Sequence, residues 1–276
     1  MSGSYITAEF FLHACVALAA VGLVLTSLQL QFSRVATSDV GLMPWPIIRL
    51  RFRRSRFRLV RWMGSLPFPE SILYRVLLLH STTALWLLYT SLANHSLIAP
   101  LGCLVFLNIT IAVRLPYGAN QADSLLRIIV VAALLGESLP SSHGQEAALM
   151  FICGQSLLAY FSSGVWKLRH TGWYDGSYVR ELFATRMFGT SYLAEILKRS
   201  PGISTSIGIG VVICEVCCPL IVVLPENAMI VALLLGVTFH FIAAIIMGLN
   251  TFLWAFLATY PAIVFCHALV HHQLSL

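Results

Sequence analysis

Long apolar runs separated by short polar segments dominate this chain. A run of about 20 apolar residues is long enough to cross the hydrocarbon core of a bilayer. A single spanning segment must be helical, because only a helix satisfies its own backbone hydrogen bonds in lipid. The pattern therefore predicts an all-α integral membrane protein, a bundle of about eight transmembrane helices at residues 6–30, 71–91, 97–113, 123–139, 147–167, 205–224, 229–246 and 250–269.

The composition supports the same class. The chain is 58% hydrophobic and 10% charged, with a mean hydropathy of +0.85, whereas soluble domains are about 25% charged. The longest connections are 31–70 and 168–204, so we expect residues 1–276 to form a single transmembrane domain. The seven cysteines fall inside apolar runs without the spacing of an extracellular framework, which predicts free thiols.

The distribution of positive charge predicts the orientation. With the eight spans above, all seventeen Lys and Arg residues lie on one side of the membrane or in the first turns of spans that enter from it. By the positive-inside rule this side is cytoplasmic and both termini lie outside. The predicted cytoplasmic loops are 31–70, 114–122, 168–204 and 247–249.

Two of these loops have distinctive patterns. Seven arginines lie within Arg49–Arg61, interleaved with aromatic residues. Such a pattern can bind single-stranded nucleic acid, but in a loop held between two spans we expect an anionic membrane surface and no nucleic acid. Capture of a diphosphate head group by arginine forks is an alternative. The segment 168–204 is predicted to be a cytoplasmic interfacial helical segment, because 178–199 is amphipathic.

Lys167 is the first candidate for chemistry. It ends an apolar run just before the turn at Trp173–Gly176, and the chain has only one other lysine, Lys198, beside fifteen arginines. Arginine cannot lose its proton in a protein, whereas a partly buried lysine can. Lys167 is therefore predicted to be a catalytic base or acid, with a lysine that merely snorkels to the membrane edge as the alternative.

Ionisable residues inside apolar spans are costly, and each is a candidate functional residue. Glu215 is expected near the midplane, where a carboxylate is either protonated or paired with a cation. His240 and His80 are expected in the cytoplasmic half, and a buried histidine can also be purely structural. The predicted catalytic residues are Lys167, His240 and Glu215, and the predicted substrate-binding residues are Asp123, Arg127, Trp166, Trp173, Tyr174, Asn250 and His80.

Asp123 and Arg127 share a helix face at i, i+4, and a structural pair that anchors the helix end is the alternative interpretation. The sequence has no Gly-rich phosphate loop, no HExxH, no GxSxG and no aspartate-rich magnesium motif. We therefore predict no metal site and do not favour a hydrolase or a nucleotide-driven protein.

Three stretches resemble one family of membrane proteins. They are YFSSGVWKLRHTGWYDGSYV (160–179), NQADSLLRIIVVAALLGESLPSS (120–142) and HFIAAIIMGLNTFLWAFLATYP (240–261). Together they are similar to the superfamily of vitamin K-dependent gamma-carboxylase and the bacterial horizontally transferred transmembrane proteins. The first stretch, and Glu215 before Pro219, also resemble the related lipase maturation factors.

The resemblance implies that Lys167 is a base linked to oxidation of a reduced quinone and that His240 lies in the active site. The chain has no large extramembrane domain for a peptide substrate, and Lys167 is predicted to face the cytoplasm, so carboxylation of a secreted peptide is not expected. We expect a membrane enzyme that performs proton transfer on an isoprenoid-type lipid, either terpenoid cyclisation by a lyase or quinone-linked oxidation. The alternative is a non-enzymatic maturation or immunity factor for a secreted peptide or protein.

Overall fold

The computed structural model describes residues 7–116, 120–139 and 142–274, and every regular element in these ranges is helical. The predicted all-α class is confirmed. Residues 117–119 of the predicted loop 114–122 lie outside the described residues. The helices are α1 (Ala8–Phe32), α2 (Arg34–Thr37), α3 (Trp45–Arg53), α4 (Arg58–Ser65), α5 (Glu70–Leu92), α6 (Ile98–Arg114), α7 (Gln121–Ser138), α8 (Ser142–Leu168), α9 (Ser177–Ala184), α10 (Ser191–Arg199), α11 (Pro201–Cys217), α12 (Glu226–Met247), α13 (Asn250–Leu257) and α14 (Tyr260–Leu274).

Six helical stretches in the described ranges are long and apolar enough to cross a membrane: Ala8–Phe32, Glu70–Leu92, His143–Leu168, Pro201–Val222, Glu226–Met247 and Asn250–His272. The chain is therefore a multi-pass membrane protein. The two other predicted spans also fall on helices, which are shorter or more polar. Helix α6 has 17 residues, and α7 has 18 residues and carries Asp123, Arg127 and Glu137.

Helix α1 lies at the centre and packs against α5, α7, α8, α13 and α14. Its small residues allow this. A Cβ added at Gly22 would lie 3.0 Å from a Leu126 methyl and 3.1 Å from Cβ of Trp254, so this glycine lets α7 and α13 approach closely. The main core is formed by side chains such as Leu12, Leu126 and Ile152.

Helices α11 and α12 lie at the periphery. Helix α11 packs on α8 and α9, and it tightens into a 3-10 turn at Cys218–Val222. Pro219 explains this change, because it has no amide hydrogen to donate to the carbonyl of Glu215. Helix α12 packs on α13 and the 3-10 turn, and Gly248, with φ of 69°, ends it in the left-handed conformation.

The segment predicted as the loop 31–70 is largely helical, with α3 and α4 forming a hairpin. Arg114, the last residue of α6, holds the chain segments on either side of this hairpin in place. The Arg114 side chain is completely buried, and it donates hydrogen bonds to the backbone carbonyls of Phe68 (3.2 Å), Met43 (2.7 Å) and Thr37 (3.3 Å) and to the Asp39 carboxylate (2.9 Å). These acceptors are distant from Arg114 in the sequence, so no local sequence pattern predicts its structural role.

Candidate functional site

Lys167 and Glu215 form a close ion pair between α8 and α11. The Lys167 ammonium donates to both oxygens of the Glu215 carboxylate, at 2.6 and 2.5 Å, and to the Ser163 hydroxyl at 2.7 Å. The two side chains are 12% and 14% exposed. All three hydrogens of the ammonium are therefore directed at protein acceptors, and the pair has no net charge.

A glycine on α8 allows the two helices to approach closely at this point. A Cβ added at Gly164, three residues before Lys167, would lie 2.8 Å from the backbone nitrogen of Val216. A larger side chain at Gly164 would force α8 away from α11. Because Val216 follows Glu215 directly, this close approach places the carboxylate within reach of the lysine.

The turn after α8 forms a cap over the ion pair. Trp173 lies in this turn, and the Lys167 ammonium is 5.1 Å from the centre of its indole ring, which is a cation–π distance. The turn rests directly on α11, since a Cβ at Gly208 would lie 2.1 Å from the Trp173 carbonyl oxygen. Gly176 has a φ of 73°, a left-handed conformation that glycine adopts readily. Trp173 thus contacts the cation directly.

Asp175 stabilises the same turn. Its carboxylate accepts a hydrogen bond of 2.8 Å from the backbone amide of Ser177, two residues on, at the start of α9. Hydrogen bonds to the Ser177 amide and hydroxyl, and the nearby Arg180, lower the pKa of Asp175. Asp175 therefore stabilises the backbone at the start of α9.

Trp166 and Tyr174 do not share this environment. The Trp166 side chain is 55% exposed and lies against His170, with 4.2 Å between ring centres. The Tyr174 hydroxyl donates to the Leu168 carbonyl at 3.1 Å. Both stabilise the end of α8, and of the three aromatic residues predicted to bind substrate, Trp173 is the one placed over the lysine.

His240 lies deeper, on α12. Its Nε2 shares a hydrogen bond of 2.6 Å with the Tyr160 hydroxyl of α8, and its ring stacks on Phe256 with 4.5 Å between centres. Tyr160 also contacts Phe256, at 4.6 Å between ring centres. Tyr160 was not among the predicted site residues.

The polar residues of α8 form one stripe. Ser156, Tyr160, Ser163 and Lys167 are spaced by four, three and four residues, so they lie on one face of the helix. They bond in turn to Thr259, His240, Lys167 and Glu215. This spacing is visible in the sequence and could have identified Tyr160 and Ser163.

The remaining predicted residues lie elsewhere. His80, Asp123 and Arg127 line a separate small cavity between α1, α5, α6 and α7. Asp123 forms a capping box with Asn120 at the start of α7, and among the described residues no ion pair joins it to Arg127. Asn250 is exposed at the first position of α13.

The candidate residues that bond to one another lie on three helices, α8, α11 and α12. Helix α12 makes few contacts with α8 or α11, although the Tyr160–His240 hydrogen bond joins it to α8. A cavity of about 300 Å³ lies in another place, between α7 and α8, and its lining is apolar and contains none of the candidate residues. We therefore place the candidate site at the Lys167–Glu215 pair and the Tyr160–His240 hydrogen bond, which join α8 to α11 and to α12.

The donor set of this site suits proton transfer. Tyr160 and Lys167 lie on one face of α8, and His240 and Glu215 bond to them from α12 and α11. All four side chains can exchange protons. In the described part of the chain, no cluster of three or more His, Cys, Asp and Glu side chains is arranged to hold a metal ion. No protein-family model matches the chain, and no curated protein or solved structure is significantly similar to it.

Proposed function

We propose that the chain is an integral-membrane enzyme that performs proton-transfer chemistry on an isoprenoid-type lipid at the Lys167–Glu215 pair. The observation that carries this proposal is the geometry of the pair. A buried lysine bonded to both oxygens of one carboxylate holds a proton that can reside on either partner. When the proton resides on Glu215, Lys167 has a free lone pair and can act as a base.

Lys167 removes a proton from the substrate in this proposal, and we assign the return of a proton to His240 and Tyr160. Their shared hydrogen bond of 2.6 Å gives a second proton donor and acceptor on the same face of α8. The residues Tyr160 and Lys167 are seven apart, which is about 10 Å along a helix. A substrate that lies along this face can therefore lose a proton at one end and receive one at the other.

The environment of the pair supports a lipid substrate. Helices α11 and α12 expose apolar side chains such as Ile213, Phe239 and Ile242, and the two helices barely touch. In a bilayer this arrangement gives an acyl or prenyl chain a lateral route between them. Because Lys167 is neutralised by Glu215, a neutral head group is favoured over a diphosphate at this site.

Trp173 supports a polar head group on the substrate. Its indole nitrogen is buried and has no hydrogen-bond partner among the described residues. The ring lies over the Lys167 ammonium, so an acceptor atom bonded to this N–H would be held beside the proposed base. Both open alternatives, terpenoid cyclisation and quinone-linked oxidation, remain compatible with one such acceptor, and a reduced quinone is the cofactor that the family resemblance implies.

For the membrane arrangement we propose eight spans, with α6 and α7 completing the six long ones, both termini outside and the Arg-rich loops in the cytoplasm. In a variant without its natural cysteines, His143→Cys is then expected to react with an impermeant thiol reagent in intact cells, and Ser55→Cys is not. The reverse labelling would overturn the orientation. Both positions have exposed or half-exposed side chains.

We also propose that the α3–α4 hairpin contacts the anionic surface of the same membrane through Arg49–Arg61. Exposed Phe57 lies among these arginines and exposed Trp62 follows them, and Arg56 lies 5.2 Å from the centre of the Phe57 ring. Aromatic and cationic side chains together suit the interface between head groups and acyl chains. No nucleic acid is required for this surface.

The direct test of the function is to identify the lipid that the protein retains. The full-length protein and its Glu215→Gln variant would be purified in mild detergent, and the extracted lipids compared by mass spectrometry. We expect an isoprenoid-type lipid enriched with the unaltered protein, and its conversion by the unaltered protein but not by the variant. If no such lipid is retained or converted, the non-enzymatic maturation or immunity factor becomes the better interpretation.

A further inference from the structure

The small cavity lined by His80, Asp123 and Arg127 lies apart from the Lys167–Glu215 pair. It has a volume of about 20 Å³ and is bounded by α1, α5, α6 and α7. Its polar lining consists of Ser27, His80, Asn108, Asp123 and Arg127, beside the hydroxyl-bearing Thr26 and apolar side chains. None of these residues contacts the Lys167–Glu215 pair in the hydrogen bonds or ion pairs of the described chain.

Two buried nitrogen atoms at this cavity have unused hydrogen-bonding capacity. The His80 side chain is 2% exposed, and its Nδ1 bonds to the Ser27 hydroxyl at 2.6 Å. The Asn108 side chain lies beside His80, but neither His80 Nε2 nor Asn108 Nδ2 has a hydrogen bond of ordinary geometry within the described residues. Buried polar groups in proteins almost always have a partner, so this pair of atoms indicates a ligand.

The size of the cavity restricts what the ligand can be. A cavity of about 10–15 Å³ is enough for one water molecule, so this one admits a single water-sized ligand and excludes a phosphate or a lipid head group. The charges of Asp123 and Arg127 cancel, which favours a neutral ligand over an ion. The ligand must accept from the Asn108 amide and also suit either tautomer of His80.

We propose that this cavity binds one water molecule, which bonds to His80 Nε2 and Asn108 Nδ2 and connects them to the Asp123–Arg127 side of the cavity. Water is the neutral molecule of this size that both donates and accepts hydrogen bonds. It joins α5 and α6 to α7, while Ser27 continues the chain of hydrogen bonds to α1. Asp123 and Arg127 are then the outer ends of a polar network rather than part of the catalytic machinery.

The water itself is tested on the full-length protein in bilayers. With ¹⁵N-labelled histidine, water-edited solid-state NMR measures magnetisation transfer from water to each ring, and the His80 signal is assigned by its loss in His80→Gln. We expect transfer to the His80 ring although its side chain is buried. Its absence in the unaltered protein would show a dry cavity and overturn the proposal.

A variant pair gives an independent readout. Asn108→Leu fills the cavity with an apolar side chain, so it is expected to reduce the water transfer to His80 several-fold and to lower Tm by about 2–4 °C. Thr110→Val is the matched control on the same helix, because the Thr110 hydroxyl bonds to the Phe106 carbonyl of its own helix and to no other described residue, and both readouts should stay unchanged. An Asn108→Leu variant with a raised or unchanged Tm would contradict the bound water.

Discussion

Two buried cations, Arg114 and Lys167, are held in this protein in opposite ways. Arg114 is completely buried, and its guanidinium donates to three backbone carbonyls and to one carboxylate. Lys167 retains 12% exposure, and within the described ranges its one charged partner is the Glu215 carboxylate. One cation is surrounded by fixed backbone acceptors, and the other faces a single acid that can take its proton.

The difference separates a structural role from a chemical one. Arginine presents a rigid fork of donors and never releases its proton, so it suits a site where several carbonyls must be held in place. Lysine paired with one carboxylate has a proton that can exchange and an acceptor already hydrogen-bonded to it. The Arg114 contacts therefore explain how the segments around Thr37, Met43 and Phe68 are held, and the Lys167 contacts mark where we propose that proton transfer occurs.

Replacing Lys167 by arginine should give the largest effect on activity. Lys167→Arg keeps the positive charge beside Glu215 but removes the exchangeable proton, so we expect turnover of the retained lipid to fall by about 10²–10⁴-fold. Tm should change little, because the ion pair is kept. The measurement is product formation by the purified variant. Near-normal turnover would end the catalytic assignment of Lys167, leave His240 and Glu215 as the candidates and make Lys167 a snorkelling residue.

The reciprocal exchange at Arg114 should affect stability instead. Lysine cannot reach all four acceptors of the guanidinium, and leaving buried carbonyls without donors costs about 2–4 kcal/mol in the free energy of unfolding. Tm in detergent should fall by roughly 5–15 °C, with turnover per folded molecule retained. Arg75→Lys on the exposed side of α5 is the control and should change Tm by less than about 2 °C. An Arg114→Lys variant of normal Tm would show that the contacts are not needed.

A smaller effect is expected at the indole above Lys167. Trp173→Phe keeps an aromatic ring over the ammonium but removes the unpartnered N–H, so the apparent affinity for the lipid should fall about tenfold, equivalent to about 1.4 kcal/mol. The maximal turnover should change little, because the proton-transfer residues are intact. Trp166→Phe, at an exposed side chain that packs on His170, is the control. Equal behaviour of the two variants would argue against a substrate contact at Trp173.

The smallest effect is expected in the α3–α4 hairpin. If the arginines contact a lipid surface, replacing Arg51, Arg53 and Arg56 together with lysine should change the apparent affinity for substrate by less than about twofold, because the charge is kept. The triple replacement with glutamine should reduce the retention of anionic lipid, measured by mass spectrometry. A large loss of substrate affinity with lysine would instead indicate a diphosphate held by arginine forks.

The membrane class and most helix positions could be predicted from the sequence. Each apolar run must form a helix in lipid because it has to satisfy its own backbone, and this requirement is local. For the same reason Lys167, Glu215 and His240 could be selected one at a time, as ionisable groups that are costly in an apolar span. The helices α3 and α4 were missed, because short amphipathic helices rich in arginine resemble solvated loops.

The partners of these residues were decided by tertiary structure. Lys167 and Glu215 are 48 residues apart, and they meet because Gly164 allows α8 to approach the backbone of α11. Arg114 shows the same dependence, since its acceptors lie 46 to 77 residues away in the chain. The hydropathy of a segment shows that a charged residue within it is costly to bury. Which group compensates that cost depends on helix packing, and packing depends on small residues and side-chain shapes that come together only in the folded bundle.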